Sequence, residues 1–277
     1  MAGLAETLWY RQRRPLWPLL PLSWLYQRVA RNRRQRLQAE ARPLPVPVIV
    51  VGNITAGGTG KSPLTAWLSD YLAEQGWRPV ILSRGYGSDR PADSPMVVTP
   101  DSDPVHAGDE PVMLAIQTGR PVVVHPRRLE SARLVLDQDL GNLLLCDDGL
   151  QHYYLDRDLE LAVFDGARGI GNGAGLPVGP LRELPERLRE VDFVVVNGEA
   201  TGPVPAHPDR YAMTLEPSRV RNLATGETQS PDWLRGRDCD ALAGIGNPQR
   251  FFDQLTALGA TIDILNGILP RATIVPC

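Results

Sequence analysis

An α/β fold, a parallel sheet covered by helices on both faces, is predicted by three observations. The apolar run Val46 to Val51 breaks into a glycine-rich turn that ends in Gly60-Lys61-Ser62. Beyond it Leu64, Trp67, Leu68, Tyr71 and Leu72 fall at helical spacing, with Pro63 early in the helix, where its missing N–H costs little. Further short apolar runs recur at Pro79 to Ser83, Pro121 to His125, Leu143 to Cys146, Glu160 to Asp165 and Asp192 to Asn197. Several are apolar throughout and are separated by stretches long enough for helices, the pattern of parallel strands buried on both faces.

A strand, a glycine-rich turn and a helix in that order form a phosphate-binding loop. Glycines let successive backbone N–H groups point at phosphate oxygens, and the helix offers its positive end to the same anion. The loop residues are Thr55, Ala56, Gly57, Gly58, Thr59, Gly60, Lys61 and Ser62. Lys61 is placed to reach the β- and γ-phosphates of a nucleotide, and the Ser62 hydroxyl to hold Mg²⁺. Thr55 stands where the usual pattern has its first glycine, so the turn relies on Gly57 and Gly58. Lys61 is the only lysine; every other basic residue is arginine. The fold class is therefore a sheet of the P-loop NTPase type, with a partial second α/β subdomain at the C-terminus.

With 277 residues, 43% of them hydrophobic, the chain can build a substantial core. Cys146, Cys239 and Cys277 are odd in number and widely spaced, without the pairs of a zinc site or disulfide framework, which fits a reducing compartment. The net charge of −3 hides an asymmetry: residues 1–42 hold nine arginines against Glu6 and Glu40, while the remainder holds 20 basic and 30 acidic residues. Residues 1–42 are thus a separate segment, 43–215 the nucleotide-binding core and 216–277 the start of the C-terminal subdomain.

In the first segment, arginine clusters flank an aromatic and leucine-rich run from Leu16 to Tyr26. Pro15, Pro18 and Pro21 interrupt the run, and it is shorter than the roughly 20 apolar residues that span a bilayer, so a transmembrane helix is rejected. Gln27-Arg28-Val29-Ala30-Arg31 offers no signal-peptidase site. Arginine with interfacial tryptophan and tyrosine is the composition of a segment lying on an anionic membrane surface. The competing expectation is an amphipathic arm packed on the protein's own body. Nucleic acid is not expected as a partner, because the rest of the chain is acidic. No protein partner is predicted either.

Ligands of such sheets bind beyond the carboxyl ends of the strands. There, Leu143 to Cys146 leads into Asp147, placed to contact Mg²⁺ beside Ser62, and Asp148, which could serve the same ion or the nucleophile. Gln151 and His152 belong to the same rim. In Gly108-Asp-Glu-Pro111 the acids Asp109 and Glu110 either stabilise a helix N-terminus or supply, through Asp109, a base for an attacking hydroxyl. Arg84, Arg128 and Arg182 lie just past or between strands, where a guanidinium suits an anionic substrate, and Glu183 follows Arg182. The C-terminal subdomain reads as a strand from Asp240, an Asn247 cap with Pro248 at the first helical position, a helix ending at Gly259, and a strand from Thr261 to Leu265.

These residues together resemble the tetraacyldisaccharide 4′-kinases of lipid A biosynthesis. The carriers are Val51-Gly-Asn-Ile-Thr-Ala-Gly-Gly-Thr-Gly-Lys-Ser-Pro63, Ser83-Arg-Gly-Tyr-Gly87, Gly108-Asp-Glu-Pro111, Asp147-Asp-Gly-Leu-Gln-His152, Gly179-Pro-Leu-Arg-Glu183 and Ala243-Gly-Ile-Gly-Asn-Pro248. They follow the family's order over roughly residues 10–260, and Thr55 is the family's habit too. The resemblance implies phosphoryl transfer from ATP with Mg²⁺ to the 4′-hydroxyl of a tetraacylated glucosamine disaccharide 1-phosphate, at the cytoplasmic face of the bacterial inner membrane. It implies Asp109 as base, Asp147 and Asp148 serving metal and catalysis, and Glu183 supporting the metal. It implies a continuation past Thr261 that this sequence does not match, including a histidine that assists the base; no histidine follows His207. A shortened chain that binds ATP but turns over poorly is the expectation from that departure. The competing classes are a nucleotide binder on the membrane without catalysis and a P-loop switch ATPase. The switch ATPases carry a second lysine at the loop start, where this chain has Ala56.

Overall fold

The computed structural model describes residues 7–11, 15–89, 93–245 and 247–265; of the positions named above, Glu6, Gly246 and Cys277 lie outside them. The chain forms two compact units, residues 1–213 and 214–277.

The first unit begins with a helical turn at Thr7–Arg11 and the long helix α1, Leu20–Glu40. It continues with β1 (Val48–Gly52), α2 (Lys61–Glu74), β2 (Pro79–Ser83), β3 (Met96–Val98), a helical turn at Pro104–Ala107 and α3 (Asp109–Thr118). Then come β4 (Val122–Val124), α4 (Arg128–Asp137), β5 (Leu143–Asp147), β6 (Leu159–Asp165), a turn of 3-10 helix at Pro185–Glu190, β7 (Phe193–Asn197) and β8 (Arg210–Met213). The eight strands make one sheet in the order β3-β4-β2-β5-β1-β6-β7-β8, parallel except for β3 at one edge.

β1 lies between β5 and β6, and its register sets Val51 beside Asp147. The phosphate loop therefore leaves the sheet next to the acids that end β5. Side chains alternate along each strand. Val48 and Val50 enter one core with Leu144, Cys146 and, from α4, Ala132 and Val135. Ile49 and Val51 enter the other with Leu143, Leu145, Leu64 of α2 and Leu114 of α3. Each large aliphatic residue so buried contributes about 1.5–3 kcal/mol, and having a core on both faces explains why these strands read as unbroken apolar runs.

Helix α1 is fastened along one edge. Ser23 Oγ donates to the carbonyl of Gly175 at 2.9 Å, Gln27 Nε2 to that of Leu181 at 3.2 Å, and Arg34 pairs with Glu190. Its other side leaves Leu22, Leu25 and Val29 exposed in a stripe at helical spacing, beside Trp17 at 70% and Trp24 at 69% exposure. The arm is thus packed on the protein's own body and still presents an apolar, arginine-flanked face. No helix among the described residues is long and apolar enough to cross a membrane.

The second unit holds a short antiparallel hairpin of β9 (Val220–Arg221) and β10 (Thr228–Gln229). It ends with the parallel pair β11 (Asp238–Ala241) and β12 (Thr261–Ile264), joined through α5 (Pro248–Ala257).

Candidate active site

The loop after β1 holds two glycines in the left-handed region, Gly57 at φ +110° and Gly60 at φ +94°. A side chain at Gly60 would also run into the amide of Asn197. Non-glycine residues reach such backbone angles only at a cost, so this curl of N–H groups depends on glycine at both places. Asn53 spans the turn from inside, its Nδ2 lying 3.2 Å from the Gly57 carbonyl and 3.4 Å from each of the Thr55 and Thr59 hydroxyls. Asn197, at the end of β7, donates to the Thr59 carbonyl at 3.1 Å. The outer edge is braced by Ala56 N–H on the Pro180 carbonyl at 2.7 Å, by a bridge between Thr55 and Leu181, and by the Tyr10 hydroxyl on the Ala56 carbonyl at 3.0 Å.

Lys61 opens α2, and its Nζ lies 3.5 Å from Asp148. Arg182 reaches the same carboxylate at 3.4 Å. Asp148 has φ +47°, a conformation that aspartate tolerates better than most residues, and the strain coincides with the place where the two cations converge. Burial pushes this carboxyl up, but Lys61 and then Arg182 outweigh it and hold it below the usual range. Its neighbour Asp147 is only 1% exposed. Thr65 donates to Asp147 Oδ1 at 3.0 Å, while Oδ2 is buried without a hydrogen-bond partner among the described residues. Burial first, then the Glu110 charge, pushes Asp147 up to about 7 against the pull of Lys61. The Ser62 hydroxyl donates to the Glu110 carboxylate.

This donor set fits a nucleotide with Mg²⁺. An unsatisfied carboxylate oxygen at Asp147, the Ser62 hydroxyl and Glu110 are hard oxygen ligands. Among the described residues no three His, Cys, Asp or Glu side chains cluster as a self-sufficient metal cage.

Several other rim residues take places that spacing could not show. Arg128, expected at the substrate, is 1% exposed; its Nη1 and Nη2 donate to the carbonyls of His125 and Asp147, each at 3.1 Å. It fixes the tip of β5 from within, buried rather than presented at the rim. Glu183, expected beside the metal, has as its described partners the Tyr153 hydroxyl and Arg187, the latter at 3.4 Å, rather than Ser62 or Asp147. Its backbone N–H and that of Arg182 both donate to the Ile54 carbonyl, which keeps the pair beside the phosphate loop. Gln151 Nε2 donates to the Asn53 carbonyl at 2.9 Å, and His152 meets the Tyr154 hydroxyl at 2.9 Å. Burial, then Arg128 and Arg84, push His152 down to about 3, so it works as a neutral imidazole. Arg84 is exposed, and Asp109 is exposed in the first turn of α3. Glu110, Asn53 and Thr65 were not singled out from the sequence as site residues. For Glu110 the only signal was its place at a helix start beside Asp109.

The family model for LpxK, tetraacyldisaccharide-1-P 4′-kinase, matches residues 15–265. The chain belongs to the tetraacyldisaccharide 4′-kinase family. Membership makes it a kinase, a transferase of phosphate to a hydroxyl group. The tetraacyldisaccharide 4′-kinase of Pseudomonas paraeruginosa is 46% identical over 254 residues, 90% of this chain and 75% of the relative. That of Dechloromonas aromatica is 48% identical over 269 residues, 95% of this chain and 79% of the relative. Among solved structures, Aquifex aeolicus LpxK in complex with ATP is 29% identical and superimposes with a TM-score of 0.72, covering 89% of this chain and 79% of that one. The α/β sheet with its phosphate loop is thus the architecture of the tetraacyldisaccharide 4′-kinases.

Proposed function

We propose that this chain transfers the γ-phosphate of ATP to the 4′-hydroxyl of tetraacyldisaccharide 1-phosphate, and does so at the cytoplasmic face of the inner membrane. The observation that carries the reading is the convergence of Lys61 and Arg182 on Asp148 beside the buried, unsatisfied Asp147, at the end of a phosphate loop. In phosphoryl transfer the protein has little covalent work to do; positioning and charge neutralisation carry the rate.

The loop N–H groups and Lys61 would hold the β- and γ-phosphates, and Lys61 would exchange its Asp148 contact for phosphate oxygen. Ser62, Asp147 and Glu110 would hold Mg²⁺, which supplies charge neutralisation at the transferring group. Arg84 and Arg182 would face the anionic lipid headgroup, with Gln151 and His152 orienting the sugar. Asp109 would take the proton of the 4′-hydroxyl as its oxygen bonds to the γ-phosphorus and the bond to the ADP oxygen breaks. The exposed face of α1, with Trp17, Leu22 and Trp24 among arginines, supports placing the site at a membrane surface where a lipid with acyl chains is met.

The test is transfer of labelled γ-phosphate to tetraacyldisaccharide 1-phosphate in detergent micelles, with Lys61→Ala alongside. Product that falls by about 10²–10³-fold in the variant is expected from loss of one charge-stabilising group. Binding of Mg-ATP without any product from the unaltered chain would reject the kinase reading and leave a nucleotide binder.

A further inference from the structure

We propose that Tyr153 is a positioning residue for the phosphoryl transfer, and that the three guanidiniums around its ring tie the seat of α1 to the rim pair Arg182 and Glu183. The inference rests on the kinase reading above for its kinetic consequences, but its structural basis stands on the described contacts.

Tyr153 follows His152 directly and is 5% exposed. Its ring is enclosed by Arg34 of α1 at 5.1 Å, Arg157 at 5.0 Å and Arg187 at 5.6 Å from ring centre to guanidinium carbon. Cations over an aromatic face are attracted by its quadrupole, and the attraction grows where water is excluded. Three cations gathered at one ring would repel each other without acids nearby. Arg34 pairs with Glu190, Arg187 and Arg157 share Glu160, and Arg187 also reaches Glu183. The cluster is neutral as a whole, with each carboxylate attached to a different piece of chain.

Its polar end is directed at the rim. The Tyr153 hydroxyl donates to Glu183 Oε2 and accepts from Arg187 Nε at 3.2 Å. Burial and the Glu183 charge keep the phenol protonated, so it remains a donor. With one oxygen so held, Glu183 keeps its other, Oε1, buried without a hydrogen-bond partner among the described residues. Arg157 holds the turn from the other side: it donates to the carbonyls of Leu150, His152 and Leu155 at 2.6–3.1 Å and so fixes the loop that carries Gln151 and His152. Arg34 is the only member supplied by α1. A change in how α1 is seated therefore reaches Glu183 through one ring. Neither the phosphate loop nor the acids at the end of β5 take part in this contact.

The experiment uses the full chain and three variants: Tyr153→Phe, which keeps the ring and loses the hydroxyl; Tyr153→Leu, which loses both; and Arg34→Gln, which removes the α1 cation. Steady-state kinetics in mixed micelles are paired with hydrogen exchange at the amides of Arg182 and Glu183, and with vesicle sedimentation. Tyr153→Phe is expected to lower kcat by about tenfold with KM for ATP within about twofold, the split of a residue that orders the reacting groups rather than binding nucleotide. Exchange at 182 and 183 should quicken by about tenfold in Tyr153→Phe and Arg34→Gln, and further in Tyr153→Leu, as local opening becomes easier. Arg34→Gln should still sediment with vesicles. Wild-type kcat and wild-type exchange in Tyr153→Phe would overturn the proposal. If the unaltered chain makes no product, the kinase reading fails instead, and the exchange data alone decide for Tyr153: unchanged protection at 182 and 183 rejects the link, and faster exchange sustains it.

Discussion

Replacing Asp147 by asparagine should make the metal-free protein more stable at alkaline pH while abolishing its response to Mg-ATP. The Asp147 carboxyl is buried, and burial, with the Glu110 charge, raises it to about 7. In the unfolded chain an aspartate ionises near its ordinary value of about 4. Between those values the folded protein keeps a proton that the unfolded chain has released, so stability falls as pH rises through the window and the loss is complete above the folded value. At about 1.4 kcal/mol for each pH unit, the loss from pH 5.5 to 8.5 ends near pH 7 and amounts to roughly 2 kcal/mol. Asparagine keeps the shape and can still accept the Thr65 bond, but cannot ionise. Thermal melts in chelator at the two pH values, for both proteins, cancel every other titrating group. The variant should gain on the wild type by about 4–8 °C at pH 8.5 relative to pH 5.5. Adding Mg-ATP should then raise the wild-type midpoint and barely move that of the variant, because the ligand oxygen is gone. A double difference of zero would refute the burial argument, and an undiminished response to Mg-ATP would refute the metal assignment.

Gly60→Ala would place a methyl group against Asn197 at a backbone angle of φ +94°. Strain of about 1–3 kcal/mol at the loop should weaken ATP binding about tenfold or more by titration calorimetry. Arg128→Met would strand the carbonyls of His125 and Asp147 inside the protein. Each unpaired buried group costs about 1–3 kcal/mol, so the urea midpoint should fall well below that of the wild type. Leu22→Ser combined with Trp24→Ser removes two exposed apolar side chains of α1. Vesicle binding should drop by roughly 150-fold or more, at about 1.5 kcal/mol or more for each residue, with the melting curve unchanged.

The elements that were legible in the sequence are those whose physics is local. β1, β2, β5, β6 and β7 are buried on both faces and announce themselves as apolar runs, and the phosphate loop is bounded by glycine and by the helix signal after Ser62. β8 was not legible because Arg210, Tyr211 and Ala212 are exposed, so no run marks them. β3 is a three-residue antiparallel edge with one buried residue, too short for a pattern. In the site, the strand-end acids and Lys61 could be placed because parallel strands deliver their C-terminal ends to one rim. For Arg128 the charge pointed to an exposed rim position, whereas the carbonyls of His125 after β4 and of Asp147 at the end of β5 account for its burial. Glu110 looked like a helix-dipole acid until the packing of α3 against α2 set it on Ser62. Tyr153 gave no signal, since Arg157 nearby is matched at its ring by Arg34 and Arg187 from distant segments, and such a gathering has no local signature.

Lys61 is the only lysine in the sequence, and its side chain is 10% exposed, lodged against Asp148 at the end of the glycine-rich loop. Amine-directed chemistry therefore has one side-chain target in these 277 residues, and it is the one proposed to meet phosphate. An acyl-phosphate derivative of ATP would deliver its acyl group to that amine, and unlabelled nucleotide would protect it. Because every other cationic side chain is a guanidinium or an imidazole, the mass shift on the peptide that holds Lys61 would report how many molecules in a mixture hold nucleotide, with no other side-chain amine contributing.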